Sequence, residues 1–397
     1  MHDVIVIGGG PIGCYTAHLL AREGMEVLVL EEHPSIGEPP HCTGVIGAEA
    51  FEKFELPEEA ILGGLSSATF FSPGGLKAEF STPRPVAFVV DRVRFDQGIA
   101  CKARSSGADF LLNCRAMDVQ ESPGALRVIA RFDGETKELK ARLVVLADGP
   151  GYALQRRLGM GSPPEYLQSA QVEVKVEGVN SVEVYFGQEL APGSFAWIVP
   201  FRRDDGLRAR IGLTTKREVT NYLKRVLDHP PIKGRVKGLV SHLRARPIPL
   251  KPLPRTYASG VLVVGDAAGL CKPTTGGGIY YGLICSEIAA RVAASAFNRV
   301  EFGEKGLAQY EREWKRKLGS ELRIGYYFRW LGSRLGDKEI DEVFRIGLRD
   351  DLISMVKARA RFDWHRDVIT ALLRYPRLSR LFKGKINFAR GKAERKT

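Results

Sequence analysis

The chain is poor in residues that would build a metal or disulfide scaffold. Its six cysteines, Cys14, Cys42, Cys101, Cys114, Cys271 and Cys285, are scattered over 397 residues. No C-x-x-C pair occurs, so neither a zinc site nor an iron–sulfur cluster is expected, and free thiols suit a reducing, cytoplasmic setting. No run of about 18 or more apolar residues is present, which argues against a membrane-spanning helix. No charged and apolar leader precedes the strand-like run that begins at Asp3, so no secretory signal is expected. Internal repeats and low-complexity tracts are missing too. Amide side chains are scarce, with 5 Asn and 7 Gln, a trait shared with heat-adapted proteins.

What remains is an ordinary globular balance, 44% apolar and 26% charged, with the charge unevenly spread. Residues 357–397 hold 13 Lys or Arg against 3 Asp or Glu, net +10, whereas the other 356 residues carry 46 against 43, net +3. Such an end either meets an anionic partner (nucleic acid, an acidic protein or an anionic membrane) or is simply a solvated tail. No base-stacking motif accompanies it, so nucleic acid is not expected.

Residues 3–7 read as a buried strand, 12–22 as a helix and 26–31 as a second strand, a βαβ start. Between the first two runs Gly8-Gly9-Gly10-Pro11-Ile12-Gly13 forms G-x-G-x-x-G. Gly8 permits the tight turn, Gly10 lets backbone approach a pyrophosphate, and Gly13 lets helix and strand pack closely. The phosphates would meet the free N–H groups around Ile12 at the positive end of the helix. Glu31 closes the second strand 18 residues after Gly13, where an acid can accept both ribose hydroxyls; Glu32 is the alternative.

Further along, residues 33–90 read as irregular, with Pro and Gly clustered at 39–47 and 73–85, and long loops of this kind are usually functional. A helix is predicted over 93–105, with strands over 109–119, 125–132 and 135–147. Residues 168–215 read as strand-rich, 218–228 as a helix and 239–248 as a strand. The run 261–264 is wholly apolar, hence a central buried strand, and 277–296 a helix. Beyond residue 300 the pattern is helical and basic, with aromatic clusters at 326–330 and 362–364.

Three later motifs choose among dinucleotides. Val90-Asp91-Arg92-Val93-Arg94-Phe95-Asp96 resembles the R-x-x-F-D element of the p-hydroxybenzoate-hydroxylase-like flavoproteins. Leu146-Ala147-Asp148-Gly149 resembles their A-D-G element, and Val264-Gly265-Asp266-Ala267-Ala268 their G-D-A-A element. The resemblance covers residues 2–290 and implies FAD. It places Arg92 at the cofactor, adds Asp148 and Gly149 to its surroundings, and has Asp266 hold the ribityl chain. On the residues alone, Arg92 could equally be a surface ion pair, Asp148 a turn residue and Asp266 a helix cap. The segment Pro273-Thr274-Thr275-Gly276-Gly277-Gly278-Ile279 then offers backbone amides at a helix start. Reduced flavin is negative near N1 and O2, and a helix N-terminus favours an anion by roughly 0.3–2 kcal/mol. No second G-x-G-x-x-G occurs, so the reductant is expected to be external: ferredoxin, NAD(P)H or another donor.

Two more segments narrow the substrate. Pro192-Gly193-Ser194-Phe195-Ala196-Trp197-Ile198-Val199-Pro200 resembles the P-x-x-Y-x-W-x-F-P signature of geranylgeranyl reductases, with Phe195 in place of Tyr and Val199 in place of Phe. On a strand, Phe195, Trp197 and Val199 share a face. With Pro200 they are the candidate wall for a prenyl chain, unless that face is ordinary sheet core. Glu38-Pro39-Pro40-His41-Cys42-Thr43-Gly44 resembles the P-x-x-C-x-G loop of the same family. That resemblance puts Cys42, Thr43 and Gly44 beside the flavin, with Cys42, His41 or a held water as proton donor; the plain alternative for Cys42 is an inert buried thiol.

The family implies reduction of geranylgeranyl double bonds on a digeranylgeranylglyceryl phospholipid or on geranylgeranyl diphosphate. The basic end would then meet the anionic inner face of the cell membrane, with Trp330, Trp364, Phe382 and Phe388 as interfacial anchors, or as aromatics packed among helices. The expected architecture is α/β: a Rossmann-like FAD-binding domain (1–165 and 250–300), an antiparallel-sheet substrate domain (166–249) and a basic helical C-terminal extension (301–397). Three rivals share the cofactor. An aromatic hydroxylase would need NAD(P)H, oxygen and a pocket for a small polar aromatic. A halogenase would need the W-x-W-x-I-P strand that fails at Phe195, and a quinone-linked dehydrogenase lacks cysteines for its cluster.

Overall fold

In a computed structural model, which describes residues 1–239 and 243–382, strand β1 (His2–Ile7) runs parallel to β2 (Val27–Leu30), with Val4 beside Val27. Helix α1 (Pro11–Arg22) joins them. On its other side β1 is parallel to Glu135–Leu146, with Val4 beside Leu143. Val261–Val263 and Asp109–Leu111 extend the parallel sheet at either side. These strands are continuous runs of Val, Ile and Leu with both faces covered, which is why they carry no alternation. Val4, Ile5 and Val6 are fully buried. An antiparallel hairpin, Cys114–Ser122 and Ala125–Phe132, adds to the first half of Glu135–Leu146. Asp91 opens the helix Arg92–Ser105 by accepting from the backbone N–H of Val93 at 3.0 Å and of Arg94 at 3.3 Å.

The contacts divide the chain into two units, one of residues 1–61, 90–166 and 248–320, the other of 62–89, 167–247 and the chain from 321 on. The first unit holds the parallel sheet. The second is built on an antiparallel sheet whose central strands are Tyr166–Val176, Gly206–Thr215, Phe195–Arg203 and Val182–Phe186. Alternate residues of these strands, Val172, Val174, Ala196, Ile198, Ala209 and Ile211 among them, form one core with Val219, Leu223 and Val226 of the helix Val219–Asp228. C-terminal helices Asp337–Arg349, Leu352–Arg359 and Arg366–Arg374 gather a smaller core around Leu331, Leu335, Ile346, Leu352, Leu378 and Phe382. Among the described residues no helix is long and apolar enough to cross a membrane.

Three expectations need correction. Residues 33–90 are not irregular: they contain the helix Ala48–Phe54 and strands at Ile61–Leu65, Ser67–Phe71, Lys77–Ser81 and Ala87–Val90. Ser67–Phe71 lies parallel to Val182–Phe186 and antiparallel to Lys77–Ser81, so residues 67–81 extend the antiparallel sheet. Its flanking Pro and Gly masked that alternation. Second, the helical extension does not separate at residue 300. Tyr310 donates its hydroxyl to the Val263 carbonyl at 2.7 Å and Trp314 its indole N–H to Thr256 Oγ1 at 2.9 Å, so the first part of the helix Glu304–Gly332 packs on the parallel-sheet unit. Third, Phe382 is buried in the C-terminal core, and Trp330 packs against that core with Arg334 stacked on its ring. Neither is a free anchor. Trp364 is half-buried with Arg361 near its ring, and Phe388 lies outside the described residues.

Candidate cofactor and substrate sites

Four of the sequence motifs fall at one edge of one sheet. Gly8–Gly10 follow β1, Glu31 follows β2, Ala147–Gly149 follow Glu135–Leu146, and Val264–Ala268 follow Val261–Val263. In open parallel sheets the ligand crevice lies outside the carboxyl ends of the strands, so the topology gathers these motifs around one place.

The glycines there have distinct duties. A Cβ on Gly13 would come within 1.9 Å of the Gly8 carbonyl oxygen, and one on Gly8, at φ +109°, within 2.4 Å of the Ala147 oxygen. Gly10 differs. It stands at the N-terminus of α1 with no side-chain cap, and nothing lies within 4 Å of its missing Cβ. An uncapped helix start facing open space is what a pyrophosphate needs. Ile12 packs its side chain against Gly265 and Gly282, wedging α1 against the second glycine-bearing segment.

Glu31 is buried, and it is used from both oxygens. Oε2 accepts from the Gly9 N–H at 2.7 Å, while Oε1 accepts from the His33 backbone N–H at 3.0 Å and lies 2.5 Å from His33 Nδ1. The acid therefore fixes the glycine turn, and Oε2, which accepts only from Gly9 here, keeps a lone pair for a ribose hydroxyl. Glu32 is half-exposed and paired to Arg115 at 3.4 Å, which leaves Glu31 as the ribose candidate.

Arg92 and Asp96 form a buried bidentate pair, Nε to Oδ1 at 3.0 Å and Nη2 to Oδ2 at 2.8 Å, not a surface contact. Burial works against the guanidinium charge, but Asp96, followed by the neighbouring Cys42 sulfur, more than offsets it and holds Arg92 firmly protonated. Phe95, between them, is core. Cys42 is exposed rather than buried, and its sulfur accepts from the Gly44 N–H at 3.3 Å. His41 and Thr43 flank it, both half-buried. The structure thus brings the P-x-x-C-x-G loop to the Arg92 element.

The A-D-G and G-D-A-A segments are tied by two residues that sequence reasoning missed. Gln155 donates through Nε2 to Asp148 Oδ1 at 2.7 Å and to the Ala267 carbonyl at 3.4 Å. Tyr152 donates its hydroxyl to the Asp266 carbonyl at 2.9 Å. No local pattern marks either residue, because both act across more than 100 positions of chain. Burial, the largest effect, pushes the Asp148 carboxyl up to about 6 against the pull of Gln155. Gln155 Oε1 is buried with no hydrogen-bond partner among the described residues.

At Asp266 the surroundings are equally tight. Cys271 donates its thiol to Oδ1 at 3.0 Å, and burial together with that carboxylate pushes the thiol well up, so it stays neutral. A Cβ on Gly278 would lie 2.2 Å from the same oxygen. Gly276, at φ +76°, and Gly277 complete the loop, and Gly278 opens the helix Ile279–Arg299 without a side-chain cap. A second uncapped helix start therefore stands beside Asp266. An anion and a polar chain both fit these surroundings, as FAD requires.

In the second unit Phe195, Trp197 and Val199 share a face that takes no part in the main sheet core, to which Ala196 and Ile198 belong. Trp197 and Val199 are nonetheless buried themselves. Pro200 has the parity of Ala196 and Ile198, so it is not part of the wall. The register adds Val184 and Phe186 from the next strand and Phe70 and Phe80 from the strands beyond. Phe195 lies against both Phe186 and Trp197, and Phe186 meets Phe344 of the helix Asp337–Arg349 edge-on. The Trp197 indole covers Gly212, whose Cβ would come within 2.5 Å of it. Its Nε1 is buried with no hydrogen-bond partner among the described residues, a cost of about 1–3 kcal/mol that a bound oxygen would remove.

The comparisons with known proteins agree with this geometry. A family model described as an FAD binding domain matches residues 1–313. The digeranylgeranylglycerophospholipid reductase of Methanocaldococcus jannaschii is 33% identical over 360 residues, 86% of this chain and 89% of that protein. Digeranylgeranylglycerophospholipid reductase 2 of Methanothermobacter thermautotrophicus is 32% identical over 372 residues, 90% of this chain and 94% of its own. In fold, the chain is similar to the crystal structure of a geranylgeranyl bacteriochlorophyll reductase-like protein from Thermoplasma acidophilum. The TM-score is 0.84 at 22% identity, covering 96% of this chain and 98% of that one. A flavin-dependent brominase shares the fold at a TM-score of 0.72 and 16% identity. The chain is an FAD-dependent oxidoreductase and belongs to the family of the digeranylgeranylglycerophospholipid reductases.

Proposed function

We propose that the protein saturates isolated double bonds in the geranylgeranyl chains of a phosphate-bearing lipid, a digeranylgeranylglyceryl phospholipid or geranylgeranyl diphosphate. The observation that carries this reading is the face of Phe195, Trp197 and Val199, which the sheet core leaves out and which Phe70, Phe80, Val184 and Phe186 enlarge. It is apolar and aromatic over several strands, suited to a long hydrocarbon. A small polar aromatic, the substrate a hydroxylase needs, would find little there to bind.

An isolated alkene is not an electrophile, so hydride cannot simply add to it. Reduced FAD supplies the hydride, delivered from an external donor that loads the cofactor. The chain's own residues have three tasks. A proton must reach the less substituted carbon, with Cys42, His41 or a held water as its candidate source; the nearness of Cys42 to the charged Arg92 supports this reading. Positive charge then develops at the tertiary carbon, where the faces of aromatic rings stabilise it. Finally, a dry slot keeps water from capturing that carbon. Proton and hydride together convert one C=C to CH–CH, and the two electrons come from the external donor, which is oxidised.

A basic end together with a lipid substrate further supports peripheral association with an anionic membrane, in which each basic residue near the surface contributes about 1 kcal/mol. The direct test is single-turnover incubation of dithionite-reduced protein with a digeranylgeranylglyceryl phospholipid in detergent, read by mass spectrometry. Each reduced bond adds two hydrogens. An unchanged lipid spectrum alongside oxygen-dependent hydroxylation of phenols would overturn the proposal in favour of the hydroxylase.

A further inference from the structure

A depression of about 480 Å³ opens on the second unit, lined by Glu342, Arg345, Ile346, Leu348, Arg349 and Arg377. All but Arg377 belong to the helix Asp337–Arg349. Arg345 and Arg349 are four residues apart and so share a helix face. Ile346 is buried and ties the floor to the C-terminal core, while Leu348 is 42% exposed among the arginines.

Two of the guanidinium groups have an acidic partner. Arg345 pairs with Glu342 and Arg377 with Asp350, each at 3.2 Å, and Asp350 also accepts the Tyr375 hydroxyl at 2.7 Å. One such contact leaves most of the five N–H donors of an arginine for another acceptor. Arg349 is exposed, and with Glu342 and Asp350 set against the three arginines one positive charge remains among these groups. Guanidinium forks suit phosphate oxygens, and an exposed leucine between them suits the acyl boundary beneath a phosphate layer. Nucleic acid would offer the phosphates but nothing for Leu348. The chain also continues from Phe382, in the same core as Ile346, into a last segment with 6 Lys or Arg and 1 Glu over residues 383–397.

We propose that this depression is the membrane-docking surface: Arg345, Arg349 and Arg377 take lipid phosphates of an anionic bilayer, and Leu348 enters the layer below. This rests on the lipid-substrate reading given above and assigns it a place on the molecule. The test is sedimentation of the full-length, FAD-loaded protein with phosphatidylcholine vesicles, with and without phosphatidylglycerol. Arg349→Glu should lower the partition constant for the anionic vesicles about thirtyfold, since it removes one positive charge at the surface and adds a negative one. Leu348→Ser should lower it about tenfold. Arg299→Glu makes the same change of net charge on an exposed residue of the other unit, and should change binding by no more than about twofold. Flavin content and melting temperature check that each variant is folded. Equal losses from Arg349→Glu and Arg299→Glu would reduce the effect to net charge and overturn the proposal, as would no loss from Arg349→Glu. Displacement from vesicles by inorganic phosphate beyond that caused by chloride of equal ionic strength would make the depression a free-phosphate site instead. Turnover of detergent-dispersed lipid by the unaltered protein tests the substrate reading separately.

Discussion

Replacing Asp148 by Asn should make the FAD-free protein more stable near neutral pH while weakening its hold on FAD. Burial raises this carboxyl from its ordinary 3.8 to about 6. At about 1.4 kcal/mol per pH unit, the ionised form destabilises the fold by roughly 3 kcal/mol. The folded chain binds the proton more tightly than the unfolded chain, so stability falls as pH rises from about 4 to about 6 and stays low above that. Asn carries no charge, and its Oδ1 can still accept from Gln155 Nε2, which now bonds Asp148 at 2.7 Å. Urea denaturation of FAD-free wild type and Asp148→Asn, at about pH 4 and about pH 7, measures the difference directly. The variant should match wild type at the lower pH and exceed it by about 3 kcal/mol at the higher. A gain that is the same at both pH values, or no gain at either, would refute the assignment of the burden to a buried carboxylate. The same variant should bind FAD about tenfold to a hundredfold more weakly, the usual loss of a hydrogen bond to a charged group.

Gly10→Ala should leave the FAD-free protein within about 1 kcal/mol of wild type, because nothing lies within 4 Å of the new methyl, yet abolish tight FAD binding by blocking the pyrophosphate; fluorescence titration and thermal melting separate the two. Gly13→Ala should unfold the βαβ start outright, since its methyl would meet the Gly8 oxygen at 1.9 Å, and circular dichroism would report it. Glu31→Gln keeps an acceptor for the Gly9 N–H but loses the charge, and should raise the FAD dissociation constant by roughly tenfold. Cys42→Ser should lower single-turnover reduction of lipid at unchanged flavin content; full turnover would remove Cys42 as proton donor and leave His41 or water.

How much of this was legible follows from how far apart the interacting residues lie. The glycine turn, Glu31 and the parallel strands were readable because the first 31 residues complete one βαβ unit. Gly10, Gly13 and Glu31 answer to neighbours within that unit, whereas the approach of Gly8 to Ala147 does not. The wall of Phe195, Trp197 and Val199 was readable for the same reason: a strand's alternation is a local property. Its neighbours were not. Phe70 joins that face through parallel pairing with Val182–Phe186, and residues 33–90 read as irregular because Pro and Gly outweigh three five-residue strands. Gln155 shows the limit most clearly. Nothing around it suggests function, yet it bridges Asp148 to Ala267, two motifs that were each recognised alone. Motifs therefore mark the candidate cofactor ligands, while the residues that hold the motifs together emerge only from the fold. The misplacement of Pro200 has the same origin: the signature includes it, but backbone parity turns it toward the core, so a pattern of letters can span both faces of a strand when its chemistry uses one.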